Sequence, residues 1–518
     1  MAINRYESVL PGGHIILGSS RGFMSEFTHF ISGRSEPSSG KSMPIYNPST
    51  GKEAGKVKLG LEKDVDLAVL AAKTAFRNWS KLGLQQRIDK IYDIRQALAD
   101  NREQIIQLVV EQTGKTLADA TAEVTRSVEI IGHATATTVL SATPYTRGVA
   151  TGINTYEVRY PVGVVAAISP FNFPVMIPLL QSMMAIACGN TVVLKPSERN
   201  PAALLRIAEL FTEAGLPDGV FNVVMGDRLV VDRIIEHPDV AAITFVGSTP
   251  VAREVRERGV ARKKRVQAFG GGKNHLVIMP DTDIDFAANA AVSSAFGAAG
   301  QRCMAVSVVV AVGEIGDFLV EAIKSRAASI PVGGIDDASA QLGPVISEQS
   351  KRRIADCIET AANEGAEIVL DGRAEFSKEG EGWYIGPTII DHVSPDMAAH
   401  RDEIFGPVLS IVRVDTYEEA IEIISASDFG NGAAIFTRDG SIATRFTDDA
   451  QAGQIGINVP IPSPVYFHGF AGWKDSAFTE TKMHGRDAID FLTRTKTVTN
   501  RTLEPIVKSD VTMEFVTR

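Results

Sequence analysis

The stretch FGAAGQRCMAV, residues 296–306, places a cysteine, Cys303, directly after an arginine, Arg302. A permanent cation beside a thiol favours the thiolate, and a thiolate attacks carbonyl carbons. The alkoxide that forms in such an attack requires hydrogen-bond donors. The sequence therefore makes Cys303 a candidate nucleophile. The alternative, a small buried core residue, suits Cys188 in AIACGN better.

Two further motifs place hydrogen-bonding groups directly after predicted strands. In SPFNFP, residues 169–174, two phenylalanines and two prolines surround Asn172, which suits a fixed amide donor. A simple turn asparagine is the alternative. In KPSE, Lys195 and Glu198 stand three residues apart and can hold the two hydroxyls of a ribose. Lysine and glutamate at a helix start are also common without any ligand.

Two more motifs complete the set of candidate ligand-binding residues. FVGSTP ends a predicted strand with a glycine and opens a helix at Ser248. The first N–H groups of a helix have no partner within it and attract phosphate. The motif is not GxGxxG, because Ala252 stands where a second glycine would be. EIFGPV, residues 403–408, lies at a predicted loop-to-strand junction.

Length and composition limit the class of protein that positions these residues. The chain has 518 residues, of which 44% are hydrophobic and 22% charged, which is typical of a soluble protein of two or three domains. The net charge of −10 argues against a nucleic-acid partner. Three cysteines without CxxC or histidine-spaced partners argue against disulfides and against a metal site, so we expect a cytoplasmic protein. No apolar run reaches transmembrane length.

Buried strands alternate with helical segments from Val162 onward. We predict five strands, in VGVVAAIS, TVVLKP, VFNVVMG, AAITFVG and RVQAFG. Helices between them predict a parallel, doubly wound sheet that binds ligands at the carboxyl ends of its strands. LVIMP, VSVVVAV, AEIVL, LSIVRV, GAAIFT and QIGINV predict a second α/β unit. ATGINTYEVRYP and TRTKTVTNRT predict strands outside both cores, at an oligomer contact.

Together the motifs SPFNFP, KPSE, FVGST, GQRC and EIFGPV resemble the aldehyde dehydrogenase superfamily in order and distance, from about Phe27 to Val498. Longer strings such as PFNFPVMIP, GAAGQRCMA and GQIGINVPIP resemble its CoA-acylating methylmalonate-semialdehyde dehydrogenase branch. The resemblance implies NAD-dependent oxidation of methylmalonate or malonate semialdehyde. Acyl transfer to coenzyme A and loss of CO2 would then give propionyl-CoA or acetyl-CoA.

The resemblance also implies an architecture and an assembly. The fold would be α/β, with a doubly wound parallel NAD-binding sheet, a second α/β catalytic domain and a small oligomerisation β-arm. The expected assembly is a homotetramer, a dimer of dimers. The expected parts are a flexible extension (1–26), the NAD-binding domain (27–145 and 163–272), the catalytic domain (273–478), and the arm with the C-terminal segment (146–162 and 479–518).

Carried over residue by residue, the resemblance makes Cys303 the nucleophile and gives the oxyanion site to Asn172 and the Cys303 N–H. Arg302 and Arg126 would hold the carboxylate of the substrate; an exposed, ion-paired arginine is the alternative for Arg126. Glu198 at the adenosine ribose would repel a 2′-phosphate, so we expect NAD rather than NADP. The other implied cofactor contacts are Lys195 on the same ribose, Ser248 at the diphosphate, Glu403 at the nicotinamide ribose, Phe405 beside the ring, and Ser169, Phe171 and Gly226.

One position departs from the family pattern. Hydrolytic members carry a glutamate four residues before the lysine of GGK, and the acylating branch usually has asparagine there. In QAFGGGK the residue is Phe269, which can act neither as a base nor as a donor. Three hypotheses therefore stay open: a CoA-acylating semialdehyde dehydrogenase, a non-acylating aldehyde dehydrogenase that releases a carboxylic acid, and an inactive binding protein of the same fold.

Overall fold

The computed structural model describes residues 25–373, 382–463 and 467–502. The predictions for residues 1–24 and 503–518 lie outside this part of the chain. Within it the predicted α/β architecture is confirmed, with two large, mainly parallel sheets and a small antiparallel arm. None of the helices in these ranges is both long and apolar enough to cross a membrane.

The first large sheet contains the five predicted parallel strands at its centre. Their residues are almost all buried, which explains why each carries a nearly continuous apolar run. Strands that the sequence analysis did not predict extend the sheet in antiparallel fashion: His29–Ile31 and Arg34–Glu36 at one edge and Ala477–Phe478 at the other. The parallel strands lie in the spatial order Arg265–Phe269, Val240–Val246, Val164–Ile168, Thr191–Lys195 and Phe221–Val223.

Helices cover both faces of this sheet. The helix Ala202–Glu213 ends just before Gly215, whose φ of 82° is the left-handed conformation that stops a helix at glycine. The last helix of the described chain, Arg486–Leu492, returns to this unit and buries Ile489 and Phe491 in its core. The other helices are Glu62–Trp79, Leu84–Asp100, Arg102–Thr113, Leu117–Ala134, Thr137–Leu140, Met176–Ala187, Arg228–Glu236 and Thr249–Ala261.

The second large sheet has its own core and its own helices. It is parallel except at one edge, where Glu367–Leu370 runs antiparallel to its neighbour. The strands lie in the order Glu367–Leu370, Thr388–Asp391, Val408–Val414, Val306–Val312, Asn274–Ile278, Gly432–Phe436 and Gln454–Ile457. The helices are Ile284–Phe296, Gly316–Ala328, Glu348–Asn363, Ala398–Arg401, Tyr417–Ala426 and Gly440–Asp449, with 3-10 turns at Gly297–Gly300 and Gly313–Ile315.

Three smaller sheets complete the fold. The arm pairs Ile153–Pro161 with Tyr145–Ala150 on one side and with Thr493–Arg501 on the other, all antiparallel. The two stretches predicted to form strands outside the cores therefore pair with each other. The remaining strands are Ser25–Phe27, Glu53–Lys58 and Ser42–Tyr46 in one sheet and Phe429–Gly430 with Trp473–Lys474 in another.

Candidate active site

A cleft with a volume of about 400 Å³ lies at the carboxyl ends of the parallel strands of the first sheet. Its lining includes Ser169, Phe171, Lys195, Glu198 and Ser248, so the fold brings together five of the predicted cofactor residues. Gly226 is not part of the lining; its neighbour Asp227 is, and Asp227 caps the helix Arg228–Glu236. Ligands of doubly wound sheets bind at such strand ends.

Lys195 and Glu198 form an ion pair in this cleft, with 2.8 Å between Nζ and Oε2. Burial raises the pKa of Glu198, but the charge and hydrogen bond of Lys195 outweigh this, so the pKa lies below the ordinary value of a glutamate. The carboxylate is therefore ionised at neutral pH and repels a second anion at that place.

Ser248 begins the helix Thr249–Ala261 at the same edge of the sheet. Its side chain makes no capping hydrogen bond, so the first N–H groups of this helix have no side-chain acceptor from their own cap. The first N–H groups of a helix have no acceptor within it, and together with the helix dipole they favour an anion at this position. The site therefore fits the diphosphate of a dinucleotide.

A second cavity, of about 210 Å³, contains Cys303. Its wall is largely apolar and comes from both large units, and it includes Phe173, Phe269 and Phe470. Phe269 is 2% exposed and meets the ring of Phe470 edge to face, with 6.1 Å between the centroids. The position that carries a glutamate in hydrolytic relatives is therefore an apolar wall in this chain. The polar groups on the lining include Arg126, Arg302 and His484.

The loop before Cys303 has an unusual backbone. Ala298 and Ala299 adopt left-handed φ angles of 52° and 54°, and Gly300 follows at 69°. A Cβ at Gly300 would lie 2.0 Å from the carbonyl oxygen of Gly406, so only glycine fits there. The Cys303 loop therefore lies directly against the backbone of the segment that carries Glu403.

Two asparagines fix the backbone of Cys303 itself. The side-chain amides of Asn274 and Asn431 both donate to its carbonyl oxygen, at 2.9 and 2.8 Å. The sequence analysis did not identify these two residues, because their role depends on contacts between segments that lie far apart in the sequence. Charge-neutral amides at this place hold the loop without bringing a cation near the sulfur.

The thiol of Cys303 is not activated by its neighbour. Burial raises its pKa to about 11, and the charge of Glu403 contributes to the rise. The prediction that Arg302 favours the thiolate is therefore wrong. The guanidinium of Arg302 packs over Gly297 and donates from Nη2 to Asp119 Oδ1 at 2.6 Å.

Asn172 is buried next to the Cys303 loop. Its side-chain amide donates to the carbonyl oxygen of Gln301 at 3.0 Å, which uses one of the two N–H groups of that amide. The loop that carries it is held from outside, because Asn200 donates to the carbonyl oxygen of Phe171 at 2.7 Å. The structure thus places the predicted amide donor within two residues of the predicted nucleophile.

A buried ion pair that the sequence analysis missed supports the same loop. Lys115 Nζ lies 2.6 Å from Glu123 Oε2 and 4.1 Å from the centroid of the Phe173 ring. The other oxygen of Glu123 accepts hydrogen bonds from the N–H groups of Val175 and Met176, at the start of the helix Met176–Ala187. A signal was present, since Glu123 lies on the buried face of the helix Leu117–Ala134.

Glu403 faces the glycine-rich turn from the second unit. Its Oε1 accepts the N–H of Gly272 at 3.0 Å, and burial raises the pKa of this carboxyl although Gly272 and Lys273 oppose the rise. Arg353 holds the segment by donating to the carbonyl oxygen of Ile404 at 2.6 Å. The carboxylate of Glu403, predicted to contact the cofactor, therefore also acts electrostatically on the Cys303 thiol.

The two phenylalanines predicted at the cofactor lie together. Phe171 and Phe405 meet edge to face with 6.0 Å between their centroids, and Phe405 adopts a left-handed φ of 52°. Strained backbone of this kind persists where the surroundings fix it, and it is frequent at ligand sites.

Arg126 lines the Cys303 cavity from the helix Leu117–Ala134. It also forms an ion pair with Glu129 at 3.4 Å, and its side chain is 37% exposed. The ion pair of the alternative interpretation is therefore present on a residue that also lines the cavity, and the binding of a substrate carboxylate by Arg126 stays a prediction.

Comparison with known proteins gives the family. The model described as "Aldehyde dehydrogenase family" matches residues 35–498. The chain belongs to the aldehyde dehydrogenase family. Malonate-semialdehyde dehydrogenase 1 of Geobacillus thermodenitrificans (strain NG80-2) is 47% identical over 466 residues, 90% of this chain and 96% of the relative. Malonate-semialdehyde dehydrogenase of Pseudomonas aeruginosa is 42% identical over 480 residues, 92% of this chain and 97% of the relative.

Solved structures of similar proteins agree with this family. The crystal structure of methylmalonate-semialdehyde dehydrogenase from Oceanimonas doudoroffii has a TM-score of 0.91 at 43% identity and covers 93% of this aldehyde dehydrogenase and 99% of that chain. A Sinorhizobium meliloti 1021 protein, provisionally named methylmalonate-semialdehyde dehydrogenase and solved with NAD, has a TM-score of 0.91 at 44% identity with the same coverage.

Proposed function

We propose that this aldehyde dehydrogenase oxidises malonate or methylmalonate semialdehyde with NAD and transfers the acyl group to coenzyme A. CO2 is lost on the way, and the product is acetyl-CoA or propionyl-CoA. The observation that carries the proposal is one cavity whose wall includes a cysteine, two arginines and a phenylalanine in place of the hydrolytic base. The relatives with printed malonate-semialdehyde names support the substrate class.

The two guanidinium groups define the substrate class. A small aldehyde with its own carboxylate presents two oxygens that a guanidinium can hold through parallel hydrogen bonds. In our proposal Arg302 and Arg126 take this carboxylate, and the aldehyde carbon then lies toward Cys303. Asp119 orients Arg302 by accepting one of its N–H groups.

NAD fits the cleft of the first sheet. Lys195 and Glu198 hold the adenosine ribose, Ser248 and the first turn of its helix bind the diphosphate, and Glu403 holds the nicotinamide ribose. The ionised Glu198 carboxylate excludes a 2′-phosphate, which favours NAD over NADP. When bound, NAD accepts a hydride from the carbon that Cys303 has attacked. Phe405 would lie beside the nicotinamide ring, and Ser169 and Phe171, which also line the cleft, would complete the contacts.

The residues of this chain carry the covalent chemistry. The Cys303 sulfur adds to the aldehyde carbon, while the Asn172 amide and the Cys303 N–H stabilise the oxygen that becomes an alkoxide. After oxidation the acyl group stays on Cys303 as a thioester. Since the thiol has a pKa of about 11 in the free protein, its proton must leave before or during the attack.

Phe269 decides the acyl acceptor in this proposal. A phenylalanine ring cannot take a proton from water, so the route that hydrolytic relatives use is closed at this position. The thiol of coenzyme A attacks a thioester without that base. The apolar wall of Phe269 and Phe470 also keeps water from the thioester.

The test is NADH formation from malonate semialdehyde with and without coenzyme A, with the products identified. We expect sustained turnover only with coenzyme A, and acetyl-CoA and CO2 in equal amounts. Full turnover without coenzyme A, with a free acid as the product, would support the hydrolytic alternative. An absence of NADH with any aldehyde, while NAD still binds, would support an inactive protein of the same fold.

We also propose a homotetramer built as a dimer of dimers. The arm presents Tyr145 and Tyr160 at 61% and 40% exposure, and its strand Tyr145–Ala150 has no neighbour on its outer edge among the described residues. Open edges of this kind are usually covered, and closed symmetry favours two copies covering each other. Light scattering should give four times the mass of the chain; a monomer at micromolar concentration would contradict the proposal.

A further inference from the structure

His484 lies on the wall of the Cys303 cavity and comes from the end of the chain. The residue is 6% exposed, and its Nδ1 atom is buried without a hydrogen-bond partner in residues 25–373, 382–463 and 467–502. Buried polar atoms in proteins are paired in the great majority of cases. An exception on the wall of a cavity therefore marks a position where a bound ligand supplies the partner.

The surroundings of His484 determine what kind of ligand group suits it. Burial lowers the pKa of His484 to about 4, and the charges of His133 and Arg126 act in the same direction. The ring is therefore neutral at pH 7, with one N–H donor and one acceptor nitrogen. Arg126 and Arg302 on the same cavity attract an anion rather than a cation. An N–H at Nδ1 would add a third donor to theirs.

The rest of the cavity wall offers few polar groups to a bound anion, namely Ser463 and Asn431, whose amide already donates to the Cys303 carbonyl oxygen. Phe173, Phe269 and Phe470 offer no hydrogen bond, and the Cys303 sulfur is reserved for the aldehyde carbon in the proposed function. A carboxylate has two oxygens and room for about four hydrogen bonds, so two guanidinium groups do not exhaust it.

We propose that His484 donates a hydrogen bond from Nδ1 to the carboxylate of the substrate, as a third ligand beside Arg126 and Arg302. This inference rests on the proposed function and adds a specificity-determining residue to it. Its consequence is that the cavity distinguishes a semialdehyde from a neutral aldehyde through three side chains from distant parts of the chain.

The test compares three variants of the full-length enzyme on malonate semialdehyde and on propanal. His484→Leu should raise KM for the semialdehyde roughly 10- to 100-fold, because a charge-assisted hydrogen bond is lost. Propanal has no carboxylate, so its kinetics should change less than about threefold. His484→Asn puts an amide N–H near the position of Nδ1 and should restore most of the affinity. His484→Gln, whose amide matches Nε2 instead, should not.

Thermal unfolding of the free enzyme separates this role from a structural one. Replacing an unpaired buried nitrogen by an apolar group removes a desolvation cost, so His484→Leu should melt at the same temperature or higher. His133→Asn is the matched control, since this histidine contributes to the charge near His484 but does not line the cavity. The control should leave both substrates unchanged.

The outcomes separate the two proposals. Equal losses for the semialdehyde and propanal in His484→Leu, or a semialdehyde KM unchanged from that of the parent enzyme, would overturn the role of His484 alone. Failure of the parent enzyme to oxidise malonate semialdehyde at all would instead overturn the proposed function.

Discussion

The cofactor cleft and the Cys303 cavity are neighbours with opposite character. The cleft is lined by strand ends and helix starts of one sheet, and it contains an ion pair and the open N-terminus of a helix. The cavity is smaller, mainly apolar, and assembled from segments up to about residue 484. In the cleft the charge of Lys195 keeps the pKa of the Glu198 carboxyl below its ordinary value, whereas in the cavity burial and the charge of Glu403 raise the pKa of the Cys303 thiol. Substitutions in one region should therefore leave the ligand of the other nearly undisturbed.

The strongest test of this separation is Cys303→Ala. Turnover should fall by at least about a thousandfold, because no other group can form the thioester. NAD binding, measured by fluorescence titration or calorimetry, should persist, since no wall of the cleft is altered. NADH production at the parent rate would exclude Cys303 as the nucleophile.

Replacement of the guanidinium groups should act on one substrate only. Arg302→Leu or Arg126→Leu should lower kcat/KM for malonate semialdehyde by roughly one to two decades, as expected from losing a charge-assisted hydrogen bond of about 1.5–3 kcal/mol. Propanal should be affected little. Arg302→Lys keeps the positive charge but loses the paired N–H donors of the guanidinium. Its kcat/KM for malonate semialdehyde should therefore lie between those of the parent enzyme and Arg302→Leu.

Equal losses for both aldehydes in these variants would contradict the carboxylate clamp. They would instead indicate that Arg302 acts through Asp119 on the shape of the Cys303 loop. Asp119→Asn separates the cases, because it frees Arg302 without removing the guanidinium.

Glu198→Gln should change the preference between NAD and NADP and leave the kinetics with the aldehyde unchanged. Removing the ionised carboxylate removes the repulsion of a 2′-phosphate, so the ratio of kcat/KM for NADP over NAD should rise about tenfold, the effect of about 1.4 kcal/mol. KM for the semialdehyde should stay the same. An unchanged cofactor ratio would remove Glu198 from the selection of NAD.

The smallest expected effect concerns the one carboxylate shared by the two regions. The Glu403 charge raises the pKa of the Cys303 thiol, so Glu403→Gln should lower it and increase the thiolate fraction at pH 7.5. Alkylation by iodoacetamide should be roughly three- to tenfold faster than in the parent enzyme. In both proteins the rate should rise with pH up to the thiol pKa. A slower reaction in the variant would show that Glu403 does not oppose the thiolate.

The same two regions explain which features could be predicted from sequence. The five parallel strands are recognisable as apolar runs, and the residues directly after them line the cleft, so the place of Lys195, Glu198 and Ser248 could be predicted from local pattern, whereas their roles were implied by the family resemblance. The edge strands His29–Ile31 and Ala477–Phe478 were missed, because they are short and pair with residues far away in sequence.

The electrostatics of the cavity were the least predictable part. Arg302 is adjacent to Cys303 in sequence, yet its charge is directed to Asp119, 183 residues away. A thiol pKa depends on burial and on the orientation of neighbouring charges, and neither can be read from adjacency. Glu123 and His484 were missed for the same reason, although a glutamate on an apolar helix face is a usable signal.

Residues 477–492 pack on the first unit although they follow the second sheet in the sequence, and this order has a consequence for synthesis on the ribosome. The strand Ala477–Phe478 and the helix Arg486–Leu492 fill an edge and part of the core of a unit whose other strands end at Phe269. The nascent chain therefore carries an uncovered apolar surface in this unit while the entire second sheet is being translated. Holding chaperones recognise such surfaces, and the unit closes only after the helix Arg486–Leu492 has been translated.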